Sequence, residues 1–546
     1  MAWYEEAVFY HIYPLGLLGA PEFNDHAQPV HRLPELKDWI DHMKECGFTA
    51  LYLGPCFSSG SHGYDTEDYR LLDERLGDNN DLRELVSYCH EKGIHVILDG
   101  VFNHTGRGFF AFRDLKENRE NSRYRNWYCN VNFWGNNEYN DGFSYDNWGG
   151  HNMLPKLNLY EHEVRNYLFD AIRFWVSEFD IDGLRLDAAD VLEQGFMREL
   201  RSIADGLKDD FWLMGEVIHG EYGRWVNENT LHSVTNYALH KALFSGHNDH
   251  NYFEIAHTIN RQRQMGLGDN VHLYDFVDNH DVERIMTKLH DKRHFLPVHV
   301  LLFTLPGIPS VYYGSEFGIE GRKERGSDAS LRPALSLGEL ATRDNYPLQI
   351  IKALGNIYAS EAALWYGEYC EMQLTTTKYA FMRGDILVTV TNSDQEESFD
   401  LGLDGTYTGA LHGNEVSSDQ GRLKFSLEGN SAEIWIPAAE RKHYEPLKHM
   451  HQDHRNDGSS EGGTAGSEGK TAGTDGQISE TAWNADDDMP QRAEAGTRLE
   501  DMTVEELQAE VLAKLAANGP LTDRMKREVR ENVYKDSLLN WVKSFH

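Results

Sequence analysis

Gly183-Leu184-Arg185-Leu186-Asp187 reads as a short buried strand that ends in a carboxylate. Side chains alternate across a strand, so Leu184 and Leu186 fill one face while Arg185 and Asp187 share the other. A charged pair at the end of a buried strand is costly unless it is paired or used. Taken alone, it reads equally well as a structural ion pair, because such networks also sit in clefts. The segments on either side weigh the two readings.

Strand and helix alternate in both directions. Upstream, residues 8–13, 49–53 and 95–99 have strand patterns. Residues 33–45 and 80–92 have helical spacing and are closed by Gly47 and Gly93. A long helix over 161–179 leads into the quoted stretch. Beyond it come a helix at 191–207, strands at 211–216 and 232–236, and a helix at 253–265. A strand at 271–277, a helix at 296–305, a strand at 310–313 and a helix at 346–360 follow. Strands alternating with helices predict parallel strands joined by helical crossovers. Eight such units over about 360 residues predict an α/β fold, a (β/α)8 TIM barrel, expected over 1–365.

The rhythm breaks once, at 105–159, in a stretch rich in Asn, Trp, Tyr and Gly. A loop of this length inside a compact domain is usually functional. It leaves from the carboxyl end of strand three, the face on which such barrels carry their active sites.

After the barrel, short alternating strands separated by turns such as Arg383-Gly384-Asp385 predict a small antiparallel β-sandwich over 366–440. Residues 441–500 are expected to be a linker. Their acidic, Gly- and Ser-rich middle cannot bury a core. Thr503-Val504-Glu505-Glu506 is a capping box. It opens a helical hairpin expected over 501–546, whose apolar stripes need a surface: the body of this chain, a second copy or another protein.

The net charge of −36 argues against nucleic acid and anionic membrane as partners. A neutral sugar is not repelled. The 12 Trp and 27 Tyr suit stacking on sugar faces and suit large cores equally. Five widely spaced cysteines without a CxxC, and an N-terminus without a secretion signal, lead to a cytoplasmic expectation. No apolar run approaches the roughly 20 residues that span a bilayer.

Reading the carboxyl ends of the expected strands gives Asp99, Arg185 with Asp187, Glu216, and His280 with Asp281, with Asn103 and His104 just past strand three. Four strands delivering carboxylates to one rim make an all-structural reading improbable. Acids without metal-ligand spacing suit glycoside cleavage, in which one carboxylate acts as nucleophile or base and another donates a proton.

Four segments then resemble the signature regions of the α-amylase family of glycoside hydrolases, in the right order. They are Asp99-Gly100-Val101-Phe102-Asn103-His104, Gly183 to Asp187, Gly215-Glu216-Val217, and Phe276-Val277-Asp278-Asn279-His280-Asp281. Leu154-Pro155-Lys156-Leu157-Asn158 resembles a fifth segment, found in the cyclomaltodextrinase, neopullulanase and maltogenic amylase subgroup. Ala188-Ala189-Asp190 replaces the Lys-His pair common in typical α-amylases. Strand one is expected near residue 8, so the resemblance does not include that subgroup's N-terminal domain, nor the dimer it builds.

The resemblance implies a retaining hydrolase that cleaves α-1,4 bonds of maltodextrins or cyclodextrins through a covalent glycosyl-enzyme. Asp187 is implied as nucleophile, Glu216 as general acid and base, and Asp281 as transition-state stabiliser. Arg185 is implied to orient Asp187 and keep it ionised, and Asp99 to be structural. Tyr64, His104, His280, Lys156, Asp328 and Arg332 are implied in substrate binding. No cofactor is expected. Calcium is bound by many family members through an Asn at the position of Asn103. The alternatives are a 4-α-glucanotransferase on the same fold and a catalytically inactive sugar-binding scaffold.

Overall fold

The computed structural model describes residues 2–447, apart from 268–271, 342–344, 441 and 443, together with 507–509 and 511–513. Eight strands form one parallel sheet: β1 (Phe9–Ile12), β2 (Ala50–Leu53), β3 (His95–Gly100), β4 (Gly183–Leu186), β5 (Trp212–Gly215), β6 (Ser233–Val234), β7 (Tyr274–Phe276) and β8 (Ile308–Tyr312). Their order is β6-β5-β4-β3-β2-β1-β8-β7. The seam between β6 and β7 is joined by a parallel bridge from Thr235 to Tyr274, and the Asn236 N–H donates to the Tyr274 carbonyl at 2.9 Å. The sheet therefore curls into a nearly closed (β/α)8 barrel.

Helices α1 (Leu36–Glu45), α2 (Asn79–Glu91), α3 (His162–Phe179), α4 (Gln194–Ala204), α5 (Tyr237–Asn248), α6 (Phe253–Gln264), α7 (Phe295–Thr304) and α8 (Tyr346–Ser360) accompany the strands. One of them, α5, lies outside the helices expected from the sequence. Between β5 and β6 there is one 3-10 turn, Tyr222–Arg224, and no α-helix, while two helices, α5 and α6, join β6 to β7. Gly220, Gly223, Asn227 and Asn229 deny the first connection a helical stripe. α5 begins directly after the short β6. Asn236 is its N-cap, and its side-chain oxygen accepts from the Leu239 N–H at 3.1 Å.

Strand alternation sorts the core into two. Leu51, Leu53, Val96, Leu98, Leu184, Leu186 and Leu213 point outward into the layer beneath the helices. Phe9, Tyr52, Ile97, Trp212, Met214, Tyr274 and Phe276 fill the barrel interior. Above this plug, toward the carboxyl ends of the strands, the interior turns polar with His11, Asp99 and Arg185. This layering positions the site: an apolar floor carries a charged upper layer that opens only at the rim.

The insertion after β3 is anchored back onto that rim. Its hairpin, Asn147–Trp148 paired with His151–Pro155, turns through Gly149 and Gly150 at φ 60° and 84°. Such a two-residue turn needs positive φ, which glycine adopts without strain. Lys156, next in the chain, forms a bridge with His104.

An antiparallel domain follows the barrel: β9 (Tyr369–Leu374), β10 (Lys378–Arg383), β11 (Ile386–Thr391), β12 (Glu397–Leu401), β13 (Thr406–Gly409), β14 (Glu415–Ser417), β15 (Leu423–Leu427) and β16 (Ala432–Pro437). Six of them form the sheet β9-β10-β11-β16-β13-β14, and β12 pairs with β15. Ala380, Leu387, Phe399, Leu401, Leu423 and Trp435 pack together in its core.

The first residues of the expected linker belong to this folded body. Tyr444 donates to the Glu361 carboxylate, the Leu447 N–H donates to the Leu411 carbonyl, and both side chains pack on the large core. The rest of the expected linker lies outside the described residues. Of the expected helical hairpin, 507–509 and 511–513 are helical, and its remainder also lies outside them. Among the described residues, no helix is long and apolar enough to cross a membrane.

Candidate active site

β3 and β4 pair Asp99 with Arg185 in register, so acid and base meet inside the upper barrel. Arg185 Nη1 donates to Asp99 Oδ1 at 2.8 Å and to Asp187 Oδ1 at 3.0 Å, while Nη2 lies 2.9 Å from Glu216 Oε2. One buried guanidinium thus serves three carboxylates. The backbone fixes where they stand. The Asp187 N–H donates to the Gly100 carbonyl at 3.0 Å, and the Glu216 N–H to the Leu186 carbonyl at 2.9 Å. Ala188, at φ 46°, turns the chain back so that its N–H donates to Glu216 Oε2 at 3.1 Å.

Asp99 is nearly inaccessible and fully engaged. Besides Arg185, it accepts from the hydroxyls of Tyr52 at 2.8 Å and Tyr64 at 3.1 Å. It braces the arginine rather than facing solvent.

The loop after β7 brings the third acid. Asn279 Oδ1 accepts from the Asp281 and Val282 N–H groups at 2.8 and 3.1 Å, which pins the turn. His280 Nε2 lies 3.0 Å from Asp281 Oδ2 and also bonds the Tyr64 hydroxyl. The Tyr64 proton goes to Asp99, so its oxygen accepts from the imidazole. Arg332 Nη2 donates to Asp281 Oδ1 at 2.8 Å and to Asp328 Oδ2 at 3.1 Å, and its Nε donates to the His280 carbonyl at 3.1 Å.

The two aspartates are driven in opposite directions. Burial, with Glu216, Asp99 and Asp281 nearby, pushes Asp187 well above the usual carboxylate range; Arg185 opposes this without cancelling it. Arg185, expected to keep Asp187 ionised, does pull it in that direction, but its one guanidinium is divided among three acids. Burial would also raise Asp281, but His280, Arg332 and Arg185 outweigh it and hold that group well below its ordinary value.

His104 is placed differently from the expected sugar donor. Burial lowers its pKa to about 3, so it is neutral. Its Nε2–H donates to the Tyr64 carbonyl at 3.1 Å, and its Nδ1 accepts from Asn103 Nδ2 at 3.2 Å. Its single N–H is committed to holding the segment that carries Tyr64. Lys156 meets His104 through its backbone. The structure thus brings together Asp187, Glu216, Asp281, Arg185, His280, Tyr64, Asp328 and Arg332 through direct contacts, with His104 and Lys156 as supports.

Sequence reading gave no site role to two contributors. Tyr52 faces inward on β2 two positions after Ala50, which strand alternation could have indicated. Tyr237, at the start of α5, donates to Glu216 Oε1 at 3.4 Å and accepts from Asn279 Nδ2 at 3.2 Å. Its place depends on a helix that the sequence reading did not include.

Asn103 Oδ1 is buried without a partner. Calcium takes six to eight oxygens. Among the His, Cys, Asp and Glu side chains of the described residues, a group of three within ligating distance is His31, Asp78 and Asp81 at the cap of α2.

Acids gathered on one arginine at the carboxyl rim of a (β/α)8 barrel fit the two-carboxylate chemistry of a glycoside hydrolase. Residues 33–346 match the family described as alpha amylase, catalytic domain. A cyclomaltodextrinase from Bacillus sp is 30% identical over 445 residues, covering 76% of this chain and 78% of that protein. Neopullulanase 2 from Thermoactinomyces vulgaris is 31% identical over 462 residues, covering 78% and 76%. A solved cyclomaltodextrinase structure superposes with a TM-score of 0.71 at 26% identity, covering 80% of this chain and 78% of that one. The chain belongs to the α-amylase family of glycoside hydrolases.

Proposed function

We propose that this enzyme is a retaining hydrolase of α-1,4 glucosidic bonds in maltodextrins and cyclodextrins, working through a covalent glycosyl-enzyme. The observation that carries the reading is that Asp187 and Glu216 share the two terminal nitrogens of Arg185. Retention needs its two carboxyl groups close together, about 5–5.5 Å apart. Sharing one guanidinium supports that spacing. The names of the relatives, cyclomaltodextrinase and neopullulanase, support short or cyclic α-glucans as substrates.

In its ionised form beside Arg185, Asp187 attacks the anomeric carbon while Glu216 gives a proton to the departing glycosidic oxygen. The Asp187–carbon bond forms as the carbon–oxygen bond breaks. Glu216, now a carboxylate, takes a proton from water, and that water displaces Asp187. Asp281, kept anionic by His280 and Arg332, accepts from sugar hydroxyls as positive charge develops on the ring. Tyr64 provides the ring beneath that sugar, Asp328 and Arg332 hold its far side, and Lys156 adds a cation at the insertion. The five cysteines are unpaired, which fits the cytoplasm.

The test is product analysis on maltoheptaose, β-cyclodextrin and pullulan, with Asp187→Asn as the blank. Glucose and maltose from the first two, absent in the blank, support the hydrolase. Redistribution of chain lengths without new reducing ends would make it a 4-α-glucanotransferase instead. No turnover of any of the three would leave the scaffold reading.

A further inference from the structure

The inward positions of β1 are Phe9 and His11. Phe9 joins the apolar plug, and His11 stands one layer higher, 2% exposed, where the interior turns polar. Its neighbours in register are Tyr52 on β2 and Tyr312 on β8. The imidazole stacks on Tyr52 with ring centres 4.0 Å apart and packs on Tyr312 at 4.8 Å. It meets the His280 ring edge-on, at 5.1 Å and 85°. His11 Nε2 and His280 Nδ1 are both buried without a conventional hydrogen-bond partner.

An unpartnered buried polar atom costs stability, which an apolar ring at this position would avoid. Edge-on packing of two imidazoles offers the N–H of one ring the π face of the other. We propose that His11 is a positioning residue of the active site, whose ring fixes the orientation and proton position of His280 and, through Tyr52 and Asp99, the pose of Arg185. The inference rests on the hydrolase reading, since it concerns the same site.

Two routes lead outward from His11. On one side, His280 bonds Asp281 and Tyr64 through Nε2. In a neutral imidazole, the environment of one nitrogen decides which nitrogen carries the proton. On the other side, the Tyr52 ring lies against His11, and its hydroxyl donates to Asp99, which holds Arg185 Nη1. Arg185 in turn holds Asp187 and Glu216. His11 touches neither acid, yet it adjoins the supports of all three carboxylates.

The charge around His11 favours its neutral form. The titratable and charged groups facing it are His280 and Asp281 from the loop after β7, Arg185 from β4, Arg284 beyond that loop, Tyr52 from β2 and Tyr312 from β8. Burial, then His280 and Arg185, depress its pKa well below the ordinary imidazole value.

The test compares His11→Phe, which keeps the ring and removes both nitrogens, with His11→Gln, which restores a polar side chain. Nitrogen-15 NMR of labelled histidine reads the His280 proton position and titration without substrate, with His280→Gln assigning the signal. We expect His11→Phe to shift that titration by about one pH unit. We also expect it to lower kcat/KM about ten-fold, chiefly in kcat, and to move the pH profile. His11→Gln should recover part of both. An unchanged His280 signal with an unchanged pH profile overturns the proposal. So does a loss in both variants that merely tracks a fall in Tm. Should His11→Phe fail to fold, the same NMR readout on His11→Gln decides. If the wild type cleaves no α-glucan, the hydrolase reading fails, while the NMR still reports whether His11 controls His280.

Discussion

Asp187 and Glu216 are joined through a single cation: Arg185 lies 3.0 Å from the first through Nη1 and 2.9 Å from the second through Nη2. Asp99 takes a share of the same guanidinium at 2.8 Å. The acids therefore outnumber the positive charge that supports them, and Asp187 is the group pushed upward.

Replacing Asp187 by Asn is expected to abolish turnover and to raise thermal stability. An unfolded aspartate ionises near 3.9, whereas the folded one keeps its proton to higher pH. Across that interval the folded state binds more protons, so stability falls as pH rises. Asparagine removes that loss. Thermal unfolding should give a higher Tm for the variant near about pH 7, with the difference closing toward about pH 4. A Tm difference that does not change with pH would contradict the assignment.

Glu216→Gln should slow maltodextrin cleavage by about 10²–10⁴-fold, the usual weight of general acid–base catalysis. The loss should depend on the leaving group. An aryl α-glycoside with an acidic phenol needs no proton, so its first step should be much less affected. Comparing bursts of phenol from activated and unactivated substrates checks this. Equal losses on both would remove Glu216 from the proton-donor role.

Arg332 acts as a fork. Its Nη2 serves Asp281 and Asp328, and its Nε serves the His280 carbonyl. Lysine carries the charge but cannot make these planar contacts. Arg332→Lys should raise KM for maltotriose about ten-fold and also lower kcat, because Asp281 loses its hold. Steady-state kinetics on short substrates measure it, and wild-type constants would show that the fork does not matter.

The barrel and its acidic rim were legible in the sequence because they rest on short-range regularities. Leu184 and Leu186 alternate with Arg185 and Asp187, and four strand ends carry their acids openly. What depended on long-range placement was not legible. Nothing local shows that Arg185 is divided among Asp99, Asp187 and Glu216, so the upward push on Asp187 went unforeseen. His104 looked like a sugar donor until its N–H was found on the Tyr64 carbonyl, forty residues away in the chain. No helix was read over Tyr237–Asn248, so α5 and the contact of Tyr237 with Glu216 were not seen.

The chain beyond the β domain is expected to be dispensable for catalysis, with a boundary set by packing. Removing residues 456–546 should leave hydrolysis of maltoheptaose intact. Removing everything from Lys442 should lower Tm, because Tyr444 and Leu447 pack on the folded body. Activity and thermal unfolding of the two truncations settle it. A soluble but inactive 1–455 would show that the tail shapes the site.

The most direct measurement is covalent trapping. A 5-fluoro-α-glycosyl fluoride forms the glycosyl-enzyme faster than water releases it, so the intermediate accumulates for intact-mass analysis and peptide mapping. A retaining hydrolase built on Asp187 should gain one glycosyl unit on the peptide containing Gly183-Leu184-Arg185-Leu186-Asp187, and the Asp187→Asn variant should gain none. Turnover without an adduct, or an adduct on another residue, would contradict the account.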